Sequence, residues 1–138
     1  MTDLYTKEIL RLIATRNFCD RLDAPHLTVH KHSRICGSTI TVDVCLENGV
    51  ITAFGQEVKA CALGQASAAI VADGALGLTA ETFAPIATSF EAMVTKGTPL
   101  AVDETWNRLN LLQMVKDHPS RRGSVMLPFE ALRTVFGL

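Results

Sequence analysis

Two cysteines stand where the chain is predicted to change direction, and both could carry out sulfur or metal chemistry. Cys36 is followed by Gly37 just before a predicted strand, where glycine permits a sharp turn or a close backbone approach. Cys61 opens an alanine-rich predicted helix, where unpaired N–H groups and the helix dipole favour a thiolate. A thiol in either place can be presented to a metal or to another sulfur. The alternative for each is a small packing residue, and the sequence leaves both interpretations open.

Other residues carry weaker chemical signals. Cys45 lies in the middle of a predicted strand, where packing is the favoured interpretation. His118 stands before a proline in a predicted loop between two helices, so its imidazole is free to reach a site formed elsewhere, although a solvated histidine is the simpler interpretation. Arg121 and Arg122 form a cationic pair that could meet an acidic partner or offset thiolate charge. Two adjacent arginines more often belong to a solvent-exposed surface with no specific role.

Composition excludes several classes of protein. The chain has 138 residues, of which 48% are apolar and 20% charged, with a net charge of -1. This composition predicts one globular domain over residues 1–138. It lacks the excess of basic residues that is typical of nucleic-acid-binding proteins. No apolar run reaches the roughly 18–20 residues that cross a bilayer, and the first ten positions include the charged residues Asp3, Lys7 and Glu8. No membrane partner and a cytoplasmic location are therefore expected. The four cysteines form no C-x-x-C motif and are predicted to be reduced.

The first half of the chain predicts one helix and a three-stranded meander. Apolar residues recur at helical spacing over residues 3–18, and apolar and polar residues alternate over Thr39–Glu47. Asn48-Gly49 is a strong hairpin signal because both central positions of a type I′ turn need positive φ. The other predicted strands are Leu27–His32 and Val50–Lys59, with a bulge expected near Gly55.

The second half predicts helices. An alanine-rich helix is expected over residues 61–73, and Thr79 and Gly97 are the expected N-cap and stop signal of the next helix. Residues 98–104 are predicted as a linker, followed by a short helix over 106–115 and a last helix over 124–136. The predicted fold class is therefore α+β, a two-layer domain with a three-stranded antiparallel meander packed by helices.

Four segments in order resemble the iron–sulfur cluster assembly scaffolds related to IscU, SufU and the N-terminal domain of NifU. They are the opening Leu4-Tyr5-x-Lys7-Glu8-Ile9-Leu10, the Cys36-Gly37-Ser38-x-Ile40 strand start, the Gly55-x(5)-Cys61-Ala62-x(4)-Ser67 helix start, and the C-terminal helix pair. The resemblance covers essentially the whole chain and is greatest to the SufU-like branch. It implies the scaffold fold of that family.

The resemblance also implies a ligand set, and this chain departs from it. The third cysteine of the family falls on Ser124 in an ungapped alignment, or on Gly123 after a slip of one residue, and the site aspartate of the family falls on Ser38. Two thiolates with two hydroxyls make a poor metal site because neutral serine oxygen is a weak, hard ligand. His118, or ligands from a second chain in a homodimer, could complete the shell.

By resemblance, the expected role is that of a non-enzymatic scaffold that accepts sulfur and holds iron, a transient iron–sulfur cluster or zinc. Cys36 and Cys61 are the expected cofactor-binding residues, with Ser38, Ser124 and His118 as further metal candidates. The implied partners are a cysteine desulfurase and apo iron–sulfur proteins. One alternative is a degenerate module that docks on a desulfurase or client without metal. Another is a sulfur-relay protein that acts through one persulfidable thiol.

Overall fold

The computed structural model describes residues 7–14, 20–35 and 37–138. Their α+β architecture, in which a three-stranded sheet is packed by helices, confirms the predicted fold class. The elements in chain order are α1 (Lys7–Ala14), β1 (Leu27–His32), β2 (Thr39–Glu47), β3 (Val50–Lys59), α2 (Ala62–Ala75), α3 (Ala80–Lys96), α4 (Glu104–Asn107), a 3-10 helix (Arg108–Asp117) and α5 (Pro119–Phe136). The ends of the predicted opening helix, at 3–6 and 15–18, lie outside the described residues.

The sheet is an antiparallel meander in the order β1-β2-β3, with the three predicted strands confirmed. The bulge predicted near Gly55 is wrong, because the register shifts between Cys45 and Leu46, which pair with Ala53 and Ile51. The extra residue is therefore Thr52, the third residue of β3. The shift lets the chain return with Ile51 and Phe54 both buried, an outcome that strict alternation does not allow.

Gly55 has a different role, which is to let the segment before β1 cross the outer face of the sheet. A Cβ at Gly55 would clash with the backbone carbonyl oxygen of Asp20. Beside it, the fully buried Asp43 carboxylate accepts hydrogen bonds from the Arg21 guanidinium and the Thr28 hydroxyl. The backbone N–H of Leu22 donates to the same carboxylate at 3.0 Å. These bonds fix the connecting segment to the middle of β2.

The core lies between the inner face of the sheet and the helices. Ile40, Val42 and Val44 of β2 are completely buried there. Aromatic side chains fill the space between α3 and α5, where the rings of Phe90 and Phe129 stack with centroids 4.3 Å apart. This packing fixes α5 across the sheet.

Helix ends follow local sequence, with three corrections. Thr79 and Thr82 form a reciprocal capping box at the start of α3, and Gly97 ends that helix at φ 82°, as its sequence predicts. The last helix begins at Pro119 rather than at 124, because proline is favoured at the first helical position, where no N–H is needed. The helix predicted over 106–115 is instead α4 followed by a 3-10 helix.

The third correction concerns α2, which begins at Ala62 and continues through Gly74 to Ala75. A Cβ at Gly74 would clash with the indole of Trp106, so glycine at this position lets α4 pack closely on α2. Among the helices of the described residues, none is both long and apolar enough to cross a membrane.

Candidate functional site

Three small polar side chains from distant parts of the chain meet at one end of the sheet. Ser38 directly precedes β2, Cys61 lies between β3 and α2, and Ser124 belongs to α5. Thr39 and Lys59 are paired across β2 and β3, so the start of β2 and the end of β3 lie at the same end of the sheet. The antiparallel hairpin therefore brings Ser38 and Cys61 together, and α5 adds Ser124.

The three side chains form a short polar chain that ends at the sulfur. The hydroxyl oxygens of Ser38 and Ser124 lie 3.2 Å apart, and the Ser124 oxygen is 3.4 Å from the Cys61 sulfur. The two serines are 3% and 1% exposed, whereas Cys61 is half-buried. Of the three, Cys61 is therefore the group that an incoming molecule can reach.

Two glycines and one buried hydrogen bond place Ser124 against the sulfur. A Cβ at Gly64 would clash with the Ser124 hydroxyl, so only glycine lets α5 come this close to the first turn of α2. The Ser67 hydroxyl donates to the carbonyl oxygen of Val125 at 2.6 Å and ties the two helices together. A Cβ at Gly123 would clash with the Ser33 hydroxyl, so this position faces the β1–β2 loop. Ser124, not Gly123, therefore faces Cys61.

The environment favours the charged form of the Cys61 thiol. Burial is the largest single influence and acts to raise its pKa, but the hydrogen bond from Ser124 acts in the opposite direction. The backbone N–H groups of Gly64 and Leu63 and the charge of Arg121 add to that effect, and the net pKa lies below the ordinary value of a cysteine. Cys61 is the N-cap residue of α2, one position earlier than expected, and its sulfur makes no capping hydrogen bond of full geometry.

A tight loop joins β1 to β2 beside this cluster. The backbone N–H of Ser33 donates to the Ser38 carbonyl at 2.8 Å, and the N–H of Gly37 donates to the Ser33 carbonyl at 2.9 Å. Gly37 has φ +69°, a value that glycine adopts readily. Cys36 lies outside the described residues, so the expected proximity of its sulfur to that of Cys61 stays a prediction.

Two further candidates, His118 and Cys45, belong to other parts of the fold. His118 is the residue directly before α5, six positions before Ser124 in the chain. Among the described residues, no hydrogen bond joins its ring to Cys61, Ser38 or Ser124. Cys45 is a half-buried free thiol whose sulfur contacts the Ala24 carbonyl at 3.7 Å on the outer face of the sheet. Cys19 lies outside the described residues.

The donor set in the described part of the chain does not fit zinc. Within residues 7–14, 20–35 and 37–138, no three His, Cys, Asp or Glu side chains come together in a way that could hold a metal ion. The groups beside Cys61 are neutral hydroxyls already bonded to one another and to sulfur. Zinc sites need thiolate, imidazole or carboxylate ligands. The arrangement suits a nucleophilic thiol better than a structural metal centre.

Comparison with solved structures places the chain in a family. The N-terminal part of a nitrogen-fixing NifU-like protein from Brucella abortus is 33% identical, with a TM-score of 0.88 over 95% of this chain and 90% of that chain. The chain belongs to the NifU-like N-terminal family. This membership confirms the resemblance found in its motifs, and the fold agrees with it along nearly the full length.

Two further structures share the fold of this NifU-like protein. A putative iron–sulfur cluster assembly scaffold protein for the SUF system from Fervidobacterium islandicum AW-1 is 21% identical, with a TM-score of 0.83 over 95% of both chains. The crystal structure of a hypothetical protein is 20% identical, with a TM-score of 0.79 over 95% of this chain and 98% of that chain. A scan against protein-family models and a search of curated proteins find no match.

Sequence reasoning identified Cys61, Ser38 and Ser124 as candidates and missed the loop that supports them. Ser33 belongs to no sequence motif that would mark it as part of a site. Its backbone N–H nevertheless donates to the Ser38 carbonyl, and its side chain faces Gly123. The Gly123-Ser124 pair, read with Gly64, is the feature that could have indicated a close contact between two helices.

Proposed function

We propose that this NifU-like protein accepts sulfur on Cys61 during iron–sulfur cluster assembly and serves as a scaffold rather than as an enzyme. The observation that carries the proposal is the accessible Cys61 thiol, held 3.4 Å from the Ser124 hydroxyl, with its pKa below the ordinary value. A thiolate is the reactive form of cysteine, so this environment suits nucleophilic attack. The similarity to a putative iron–sulfur cluster assembly scaffold protein for the SUF system supports the same role.

The transfer we propose is a thiol–persulfide exchange. The Cys61 thiolate attacks the terminal sulfur of a persulfide carried by a cysteine desulfurase, and the sulfur–sulfur bond of that persulfide breaks. The electron pair leaves on the desulfurase cysteine, which becomes a thiolate, while the transferred sulfur keeps its proton and forms a persulfide on Cys61. No external oxidant or reductant is needed. The Ser124 hydroxyl stabilises the attacking thiolate by donating to it.

Iron or a nascent cluster would then be held as cargo by Cys61 and Cys36, before transfer to apo iron–sulfur proteins. Thiolates suit this task because they bridge iron well. In this proposal Ser124 lowers the pKa of Cys61 by its hydrogen bond, Ser38 contacts Ser124, and neither serine ligates metal. The cytoplasmic location, the possibility of a homodimer and the assignment of residues 1–138 to one domain stay predictions.

The test is sulfur loading from a SUF-type cysteine desulfurase supplied with L-cysteine. Mass spectrometry of the wild-type chain should show the gain of a sulfur atom, and peptide mapping should place it on Cys61. The Cys61→Ser variant should lose that loading while keeping its fold, because this thiol is half-buried at the rim of the core. Cys45→Ser is the matched control and should load normally, since its sulfur lies on the opposite face of the sheet. Absence of loading in the wild type would refute the proposal.

A second function is favoured by the donor set, which in the described residues does not fit zinc. In this alternative the protein docks on a desulfurase or client as a binding or regulatory module that carries neither metal nor cluster. Metal analysis after anaerobic purification separates the two functions. Retention of iron or zinc that depends on Cys36 and Cys61 supports the scaffold, and its absence together with absent sulfur loading supports the module.

A further inference from the structure

Two helices of the described chain carry a proline beyond their first turn, and the two prolines lie in opposite surroundings. Pro85 of α3 is exposed, as is Glu81, whose carbonyl the N–H of residue 85 would otherwise bond, so water can serve as the partner there. Pro128 of α5 is buried, and so is Ser124. Proline is the least favourable residue in a helix interior, so a buried one requires a compensating role.

The position of Pro128 matters because it is four residues after Ser124. In a regular α-helix the N–H of residue 128 would donate to the carbonyl oxygen of Ser124. Proline has no N–H, and its ring would collide with that same carbonyl, so the helix has to open at Ser124. The residue at which α5 opens is therefore the one whose hydroxyl lies 3.4 Å from the Cys61 sulfur.

The next carbonyl of α5 is engaged by another helix. The hydroxyl of Ser67, a completely buried residue of α2, donates to the carbonyl oxygen of Val125 at 2.6 Å. A side chain that inserts into the backbone hydrogen bonds of a helix is one cause of bending, and a proline is another. Both causes act here on adjacent residues of α5.

The parts of α5 on the two sides of Pro128 pack on different helices. Directly after it, Phe129 stacks on Phe90 of α3 with ring centroids 4.3 Å apart. Before it, Ser124 meets the first turn of α2, where a Cβ at Gly64 would clash with its hydroxyl. With the aromatic contact fixed, the direction of the first turns of α5 depends on whether the helix is opened at Pro128.

We propose that Pro128 is a positioning residue, which opens α5 at Ser124 and so holds the Ser124 hydroxyl against the Cys61 sulfur. Pro128 is buried, so it acts through Ser124 and not on an incoming molecule. This inference deepens the proposed function, because the thiol concerned is the one that accepts sulfur there. A proline that only filled space in the core would affect stability and leave the reactivity of Cys61 unchanged.

The test follows the alkylation of Cys61 by iodoacetamide in chelator-treated protein, at about pH 7 and at about pH 10, where the thiol is ionised. Pro128→Ala restores the N–H that can bond the Ser124 carbonyl, so the Ser124 hydroxyl should move away from the sulfur. We expect alkylation roughly twofold to fivefold slower than in the wild type at about pH 7, because a hydrogen bond to the thiolate is weakened. The two rates should be nearly equal at about pH 10, where the thiolate fraction no longer differs.

Pro85→Ala is the matched control. It restores the equivalent hydrogen bond in α3, which contributes no side chain to the Ser38, Cys61 and Ser124 cluster, so the alkylation rate of Cys61 should stay that of the wild type. An equal slowing by Pro85→Ala would show a general effect of proline removal and would overturn the positioning role.

Pro128→Val separates the restored N–H from a change in volume. Alanine is smaller and valine larger than the proline ring, but both have an N–H, so both variants should slow alkylation. A slowing confined to Pro128→Ala would point to a cavity in the core and would overturn the proposal. Failure of both variants to fold, followed by circular dichroism, would assign Pro128 to the core alone and would overturn it as well.

A Ser124→Ala background tests the route of the effect. Pro128→Ala should cause no further slowing there, because the hydroxyl that Pro128 positions is absent. Further slowing in this background would show that Pro128 reaches Cys61 by another route and would contradict the role assigned to it.

Sulfur loading from a SUF-type cysteine desulfurase, measured on the same variants, separates this inference from the proposed function. Slower alkylation of Pro128→Ala, in a protein whose wild type accepts no sulfur, would refute the proposed function and support the positioning role. Normal loading of the wild type, with unchanged alkylation of Pro128→Ala, would refute the positioning role alone. Absence of both effects would refute both.

Discussion

The Ser124 hydroxyl lies 3.4 Å from the Cys61 sulfur, although 63 positions separate the two residues in the chain. In the alignment with the scaffold family, the third cysteine of that family falls on Ser124. The Ser124 hydroxyl donates a hydrogen bond to the Cys61 thiolate, whereas a cysteine at this position could ligate a metal together with Cys61. The contact therefore favours a nucleophilic thiolate at Cys61 over a metal ligand at position 124.

Replacement of Ser124 by Ala should slow the alkylation of Cys61. The hydrogen bond from Ser124 lowers the pKa of Cys61, so its loss raises that pKa and leaves less thiolate at neutral pH. We expect alkylation by iodoacetamide at pH 7 to be roughly threefold to tenfold slower, since a hydrogen bond to a charged group is lost. Protein treated with a chelator should be used, with the rate at each cysteine followed by peptide mass spectrometry.

Cys45 in the same samples is the internal control for this experiment. Its sulfur is remote from Ser124 and contacts the Ala24 carbonyl, so its rate should not change. Equal slowing of both cysteines would indicate a general loss of accessibility and would contradict the role assigned to Ser124.

Replacement of Ser124 by Cys should create zinc affinity. A thiolate at this position would lie beside Cys61, and Ser38→Asp would add a carboxylate in the place of the hydroxyl that now contacts Ser124 at 3.2 Å. We expect the double variant to bind zinc at least tenfold more tightly than the wild type, because thiolate and carboxylate are true zinc ligands. Titration against a chromophoric chelator measures the change. An unchanged affinity in a folded variant would show that position 124 cannot ligate together with Cys61.

Replacement of Gly64 by Ala should destabilise the protein through the contact between α2 and α5. The new methyl group would clash with the Ser124 hydroxyl and approach the Ala60 side chain. We expect the free energy of unfolding to fall by about 1 to 3 kcal/mol, as is usual for overpacking. Urea denaturation measures the loss.

A double-mutant cycle checks the cause of that loss. Gly64→Ala combined with Ser124→Ala should cost less than the sum of the two single changes, because one of the clashing atoms is removed. Additive losses would show that the Ser124 hydroxyl is not the group that requires glycine at position 64.

Replacement of Asp43 by Asn should reduce both stability and its dependence on pH. The hydrogen bond from Arg21 is the largest influence that lowers the pKa of Asp43, with smaller contributions from Thr28 and the Leu22 backbone. A carboxyl whose folded pKa lies below its unfolded value of about 3.9 stabilises the fold above that value, and this stabilisation is lost as pH falls toward the folded pKa. Loss of the carboxylate should cost about 1 to 3 kcal/mol at pH 7.

Urea denaturation between pH 7 and about pH 3 tests the sign of this effect. Wild-type stability should fall below about pH 5, and the Asp43→Asn variant should show a smaller fall over the same range. A variant with the pH profile of the wild type would indicate that other carboxyl groups determine acid sensitivity.

Local sequence determined most of the secondary structure. The three strands, the Asn48-Gly49 turn and the caps of α3 follow from alternation and from residues with special backbone preferences, so they could be predicted without tertiary information. Family motifs also identified Cys61 and Ser124 as candidates. Local patterns failed where packing decides, as with the bulge at Thr52 and the continuation of α2 through Gly74.

Only the tertiary structure decided what surrounds Cys61. No spacing in the chain states that Ser124 faces the sulfur, or that Gly64 and Gly123 permit two close approaches. These relationships depend on how α5 packs across the sheet and α2. That packing is set by burial of the apolar core as a whole, whereas sequence patterns report only the preferences of neighbouring residues.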